Sequence, residues 1–166
     1  MPGKLIKLEA LRKLRGRWRA QNRKMVFTNG CFDLIHPGHL RYLQQARAQG
    51  DLLVVGLNTD SSVRKIKGEK RPVIPGKDRA EILCALRFVD YVVFFNEDTP
   101  AKLIRALEPD VLIKGADWEM DKIVGADLVL KKGGVVKQIK FAKGYSTSGI
   151  IDEVLKKYCP VRSKKS

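Results

Sequence analysis

The stretch Val26-Phe-Thr-Asn-Gly-Cys-Phe-Asp-Leu-Ile-His-Pro-Gly-His-Leu40 decides how the chain reads. An apolar, β-prone run from Lys24 to Thr28 stops at Asn29-Gly30. After a short loop, Pro37 and Gly38 introduce a helical pattern carried by Leu40, Leu43, Gln44 and Arg47. The segment predicts a strand, a glycine turn and a helix start. At the end of a parallel strand that arrangement aims backbone amides and a helix dipole at one point, which suits a phosphate. The chain's only two histidines, His36 and His39, fall at that point. Pro37 fits the first helical position, so His36 lies just before the helix and His39 in its first turn, and both imidazoles can face one anion. Asn29, Gly30 and Gly38 add little bulk and let a ligand approach the main chain. A structural helix cap and half of a metal site are the competing readings. The second lacks partners, because the chain has no third histidine and no paired-cysteine motif, and no metal ligand is assigned.

Outward from this centre the pattern repeats. Gly50-Asp51 closes a turn, and Leu52 to Leu57 is a continuous apolar run, as expected for a strand buried on both faces. Strand, helix and strand in this order imply a right-handed parallel crossover, which brings Asn58 to Asp60 to the sheet edge that carries the histidines. Asp60 there either contacts substrate or caps the next helix. Residues 61 to 75 form a basic stretch with Arg64, Lys65, Lys67, Lys70 and Arg71. Cations near strand ends neutralise a triphosphate during transfer, and Lys65 and Lys67 are the candidates, against the plainer reading of solvated surface lysines. Arg79 follows Pro75-Gly76-Lys77-Asp78 and opens a helix through Ala80, Ile82, Leu83, Leu86 and Val89.

Tyr91 to Phe95 is a third strand, after which Thr99 as cap and Pro100 in the first turn begin a helix to Leu107. A fourth strand, Val111 to Lys114, runs into Gly115-Ala116-Asp117-Trp118. A carboxylate and an indole there can close a sugar or nucleotide pocket, or equally form a surface turn. Gly133-Gly134 turns into a last strand, Val135 to Phe141, and the final helix begins within Gly144 to Ile151. Ser146, Thr147 and Ser148 fall at its N-terminus, where hydroxyls cap free amides and bind phosphate oxygens.

The 166 residues, 44% apolar with 7 prolines, allow one domain with a sizeable core and argue against disorder. No run approaches a membrane span and no apolar leader is seen, so no membrane partner is expected and the cytoplasm is the expected compartment. Cys31, Cys84 and Cys159 are odd in number and far apart, which suits a reducing compartment. Cys31 reads as a small residue filling a tight turn rather than a reactive thiol. Of the formal charge of +15, residues 1 to 24 carry +8 and residues 156 to 166 carry +5, so the body is nearly balanced. Basic ends with no stacking platform beyond Trp18 do not make a nucleic-acid site, and none is expected. Leu5, Leu8, Leu11, Leu14 and Trp18 recur at helical steps, predicting an amphipathic helix that docks on the body with its arginines and lysines facing solvent. The expected organisation is this N-terminal helix (1–23), a catalytic body (24–158) and a basic tail (159–166).

Gly30, Phe32, Asp33, His36, Gly38 and His39 also fill every fixed place of an apolar strand followed by G-x-F-D and H-x-G-H. On these residues the chain resembles the nucleotidyltransferase superfamily that includes the cytidylyltransferases. Val111 to Trp118 looks like the Lys-Gly-Gly-Asp-[Trp/Tyr] segment of the heptose 1-phosphate adenylyltransferases, with Ala116 where that family usually has a second glycine. Gly144-Tyr-Ser-Thr-Ser-Gly-Ile-Ile151 is similar to that family's terminal motif. The likeness runs from about Lys24 to Leu155 and takes in Asn58-Thr-Asp60, Arg71-Pro-Val73 and Glu97-Asp-Thr-Pro100.

This resemblance implies a Rossmann-like α/β fold, a single domain with a doubly wound parallel sheet of five strands in the order 3-2-1-4-5, and a homodimer. It implies transfer of AMP from ATP, with Mg2+, to D-glycero-β-D-manno-heptose 1-phosphate, by direct attack and without a covalent intermediate. A separate heptose kinase would supply the sugar phosphate. His36, His39 and Lys65 take the catalytic roles. Asn29, Gly30, Cys31, Phe32, Asp33, Gly38, Arg79, Lys114, Gly115, Ser146, Thr147 and Ser148 hold the nucleotide, and Asp60, Lys67, Asp117 and Trp118 hold the sugar phosphate. Sequence alone does not separate adenine from cytosine, so a cytidylyltransferase acting on glycerol 3-phosphate is the alternative.

Overall fold

The structure is a computed structural model that describes residues 3–116, 119–140 and 144–159. Its centre is a parallel sheet of β1 (Lys4–Leu5), β2 (Met25–Gly30), β3 (Leu52–Asn58), β4 (Tyr91–Phe95), β5 (Val111–Gly115) and β6 (Val135–Ile139). The helices are α1 (Leu8–Ala20), α2 (Pro37–Arg47), α3 (Asp60–Lys67), α4 (Gly76–Ala85), α5 (Ala101–Leu107), α6 (Ala126–Lys131) and α7 (Thr147–Tyr158), with a 3-10 turn at Met120–Lys122.

The strands lie in the order β1-β4-β3-β2-β5-β6. The five strands expected from the sequence keep the order 3-2-1-4-5, and the sixth is β1, two residues paired with β4 through Lys4–Tyr91 and Leu5–Val92. Leu5 therefore belongs to an edge strand, half exposed, and not to the apolar stripe of the N-terminal helix. A two-residue strand has no periodicity for a sequence reading to detect.

Alternate residues along the strands feed two cores. Val26, Leu53, Val55, Leu57 and Ile113 pack against Tyr42, Leu43 and Ala46 of α2 and Ala80 and Leu83 of α4. Met25, Phe27, Leu52, Val54 and Leu112 pack on the other face against Leu11 and Trp18 of α1, Leu103, Ile104 and Leu107 of α5, and Val129 of α6. The continuous apolar runs follow, because a strand covered on both faces has no polar side. Gly56 of β3 makes room across the sheet: a Cβ there would lie 2.8 Å from Phe27 Cζ.

Four local expectations need correction. The basic face of α1 is not wholly solvated, because Arg15 is buried and bonds the Leu107 and Glu108 carbonyls and Asp110. Thr59, not Asp60, caps α3 by accepting from the Ser62 amide. Thr99 does not cap α5, whose N-cap is Pro100 with no side-chain bond. The helix after Arg79 also stops at Ala85, since Leu86 is already extended and its carbonyl accepts from Val89 in a turn.

The chain winds from β2 through β3 to β4, then returns to the other side of β2 to form β5 and β6. Both halves thus diverge beside β2, and the crevice beyond its C-terminal end is the switch point where such sheets bind ligands.

Candidate active site

A cavity of about 560 Å³ opens at that crevice, within the size range of small-molecule sites. Its floor is the end of β2 and the loop behind it. Thr28 Oγ1 and Tyr42 Oη share a buried 2.7 Å hydrogen bond that ties β2 to α2. Beyond it, the Lys114 ammonium on β5 bonds the side-chain oxygen of Asn29, fixing a cation across the switch point. Phe32 takes φ +44°, the left-handed region, which costs a side-chain-bearing residue about 1–2 kcal/mol. Its buried ring, 5.4 Å from that of His39, holds the turn in place.

α2 begins where the sequence places it. His36 is the N-cap, its Nδ1 accepting from the His39 amide at 3.3 Å, and Pro37 is the first helical residue. With Nδ1 accepting, a neutral His36 carries its proton on Nε2 as a donor. The two imidazoles stack with centroids 3.8 Å apart and planes 22° from parallel. A Cβ on Gly38 would come within 3.0 Å of the His36 ring and 3.1 Å of Tyr145 Cβ, so Gly38 serves the site by leaving space.

Burial, the nearby charge of His36, and only partial compensation from the Leu34 carbonyl push the His39 pKa down to about 4. Its Nδ1 is buried without a hydrogen bond of good geometry. Burial also lowers the His36 pKa. In the free protein both rings are therefore neutral near pH 7, and an arriving polyanion would favour their protonation. Burial pushes the Cys31 thiol up against the pull of Lys67, Arg79 and Arg71, so it stays protonated.

Of the residues singled out in the sequence, Asn29 to Asp33, His36, His39, Lys67, Lys114, Gly115 and Ser146 to Ser148 all line this one cavity. Ser146 caps α7 by accepting from the Gly149 amide at 3.0 Å. Asp117 and Trp118 lie outside the described residues, as does Phe141, which the sequence placed in the last strand.

Four candidates are not brought to the cavity wall: Gly38, buried against the His36 ring, and Lys65, Asp60 and Arg79. Lys65 points to Asp98, 3.6 Å away on the exposed surface. Arg79 is fully buried, donating to the carbonyls of Cys31, Ile74 and Asn58 and pairing with Asp60 at 2.6 Å. Both are spent on each other and on the backbone, because a buried guanidinium needs every donor matched. Burial pushes the Asp60 carboxyl up, but Arg79 and the Gly76 amide outweigh it and hold the pKa below the usual range. Together they clamp the loops after β2 and β3 to the one before α4.

The Asp33 carboxylate is likewise engaged. It accepts from the Val73 and Ile74 amides and from the Arg71 guanidinium. Burial pushes its pKa up, and these donors more than reverse the effect. Its carboxylate thus anchors the basic loop, and Arg71 at the end of that anchor lines the cavity beside Lys67. Arg71 is the site residue that the sequence reading passed over, although it stands in the basic stretch and in Arg71-Pro-Val73. Asn58, Tyr42 and Tyr145 also line the cavity, and each sat unassigned beside a motif; Ile66 and Val124 gave no signal.

The cavity thus gathers two neutral imidazoles, the cations Lys67, Arg71 and Lys114, and a hydroxyl-bearing helix start, a set fitted to condensed phosphates. Among the described residues, no three His, Cys, Asp or Glu side chains converge on one point, so a metal here would rest largely on its ligand's phosphates.

Residues 27–163 match the cytidylyltransferase-like family model. The chain is 53% identical over 155 residues to the bifunctional protein HldE of Citrifermentans bemidjiense, covering 93% of this chain and 32% of that protein. It is 51% identical over 151 residues to the bifunctional protein HldE of Wolinella succinogenes, covering 91% and 31%. The chain thus spans about a third of the length of these curated relatives. Among solved structures, it is similar to a lipopolysaccharide core biosynthesis protein from Thermoplasma volcanium, at TM-score 0.61 and 29% identity, over 75% of this chain and 99% of that one. A pantoate-beta-alanine ligase from Francisella tularensis, at TM-score 0.58 and 13% identity, shares the fold over 93% of this chain and 79% of that one. The chain belongs to the cytidylyltransferase-like family and is a nucleotidyltransferase of that superfamily.

Proposed function

We propose that this nucleotidyltransferase moves AMP from ATP to D-glycero-β-D-manno-heptose 1-phosphate, giving ADP-heptose and pyrophosphate. The observation that carries the reading is the pairing of His36 and His39 with Lys67, Arg71 and Lys114 around one cavity at the switch point. The likeness to the HldE proteins and to a lipopolysaccharide core biosynthesis protein supports the choice of sugar. A heptose kinase is the class of enzyme that would supply the second substrate.

The second pKa of a phosphate monoester is about 6, so the sugar phosphate is largely a dianion near neutrality and needs no general base. Its oxygen attacks the α-phosphorus of ATP, the bond to the bridging oxygen breaks, and pyrophosphate leaves with that electron pair. Magnesium enters with ATP as part of the substrate. The chain's task is to align two anions and stabilise the charge on the transferring and leaving groups. His36 Nε2–H and His39 donate to the triphosphate, and backbone amides of the Gly30–Phe32 turn hold it. Ser146 to Ser148 hold the nucleotide or its phosphates from the start of α7. Lys67 and Arg71 face the sugar phosphate, with Arg71 steadied by Asp33.

Rapid mixing of enzyme with ATP and magnesium tests the direct route. No pyrophosphate should form until heptose 1-phosphate is added, after which pyrophosphate and ADP-heptose should rise together, one for one. A burst of pyrophosphate from ATP alone, stoichiometric with enzyme, would mean a covalent intermediate and overturn the route. ATP and heptose 1-phosphate left unconverted would overturn the reaction.

A further inference from the structure

We propose that Tyr145 is a positioning residue, whose ring braces the start of α7 against the start of α2 so that the two helix starts meet one triphosphate in register. In the reading above, on which this rests, the histidines and Ser146 to Ser148 hold that triphosphate. Tyr145 stands directly before Ser146, the N-cap of α7, and after Gly144, whose φ of +85° turns the chain into the helix. It lines the cavity although the residue is 40% exposed.

The two helices are held very differently. α2 packs Tyr42, Leu43 and Ala46 into the core. Neither core draws a side chain from α7, none of whose twelve residues is buried, so packing beneath that helix does little to fix where its hydroxyls point. Groups that must meet one ligand from two elements need closer control, since a misplacement of about 1 Å can cost about 100-fold in rate.

Tyr145 supplies the link. Its ring lies 6.2 Å from the His36 ring with the planes 20° apart, within the range of an aromatic contact. The Arg41 guanidinium carbon sits 5.6 Å from the centre of the same tyrosine ring, a cation–π distance. His36 caps α2 and Arg41 lies little more than one turn along it, so the tyrosine grips that helix at two points. Gly38 makes the approach possible, because a Cβ there would come within 3.1 Å of Tyr145 Cβ. The hydrogen bond that His36 Nδ1 accepts from the His39 amide is long, 3.3 Å, which leaves the orientation of the imidazole to the rings packed around it. Arg41 does not line the cavity, so at screening salt its influence on a bound phosphate must pass through Tyr145.

Titration calorimetry of the full chain with magnesium ATP and with magnesium tripolyphosphate, at about 0.15 M salt, tests the brace without turnover. Tyr145→Ala should weaken both ligands about five- to tenfold, the worth of an aromatic contact, and Tyr145→Phe, which keeps the ring, should restore binding to within about twofold. Arg41→Gln should weaken both about two- to fivefold, the worth of an exposed cation–π contact, and should have no further effect in the Tyr145→Ala background. A loss confined to ATP would make the ring a stacking surface for the base and overturn the proposal. So would a Tyr145→Phe variant as weak as Tyr145→Ala, an Arg41→Gln effect that persists without the ring, or a wild-type chain that does not bind tripolyphosphate. Neither ligand reacts alone, so failure to transfer AMP to the heptose phosphate would leave these affinities in place and count against the reaction only.

Discussion

His36 and His39 stack too closely to share two positive charges in the free protein, and that has consequences beyond the reaction. An unfolded histidine titrates near 6.5, whereas folded His39 titrates at about 4. Between those values the unfolded chain binds more protons than the folded one, so stability falls as the pH drops from 6.5 towards 4. Asp33 and Asp60, whose folded pKa values lie below the usual carboxylate range, lose their contribution at still lower pH. Replacing His39 with Gln should flatten the upper part of the profile, read as urea midpoints across that range, and slow turnover by about 100-fold or more. An unchanged slope together with near-normal turnover would contradict the assignment. The histidines were legible because residue type and spacing alone put both at a helix start. Arg79 and Asp60 were not legible as each other's partner, since that contact joins the first turns of α3 and α4, 19 positions apart in the sequence. Arg71 was hidden among five basic residues, and only the fold shows which of them Asp33 anchors.

At the scale of elements, apolar runs marked β2 to β5, whose residues are mostly buried between the helix layers, whereas the edge strand β6 is largely exposed and was marked by the Gly133-Gly134 turn before it. The strand order followed once right-handed crossovers were combined with the family likeness. α6 escaped notice: six residues beginning after Gly125 carry little periodicity. α1 was legible as a helix whose Leu8, Leu11, Leu14 and Trp18 face the core, but the burial of Arg15 on that face was not. Arg15 gathers the last carbonyls of α5 and the Asp110 carboxylate, which in turn accepts from the Met25 amide at the start of β2. Substituting Arg15 with Met keeps the packing volume but strands those acceptors. It should cost about 2 kcal/mol, measured by urea unfolding. A loss below about 0.5 kcal/mol would mean that α1 is held by Leu11 and Trp18 alone.

Over the whole molecule, a single topological switch gathers groups from residues 29 to 148 into one cavity, although they are dispersed along the sequence. No helix among the described residues is long and apolar enough to cross a membrane. The positive charge concentrated in residues 1 to 24 and 156 to 166 leaves the body that carries the site nearly neutral, so the cations at the cavity act locally rather than as part of a basic surface. The central claim is adenylyl transfer to a heptose phosphate. It is tested most directly by measuring pyrophosphate release with magnesium while crossing ATP and CTP against heptose 1-phosphate and glycerol 3-phosphate. Release only from ATP with heptose 1-phosphate is the predicted result, and release from CTP with glycerol 3-phosphate in its place would contradict it.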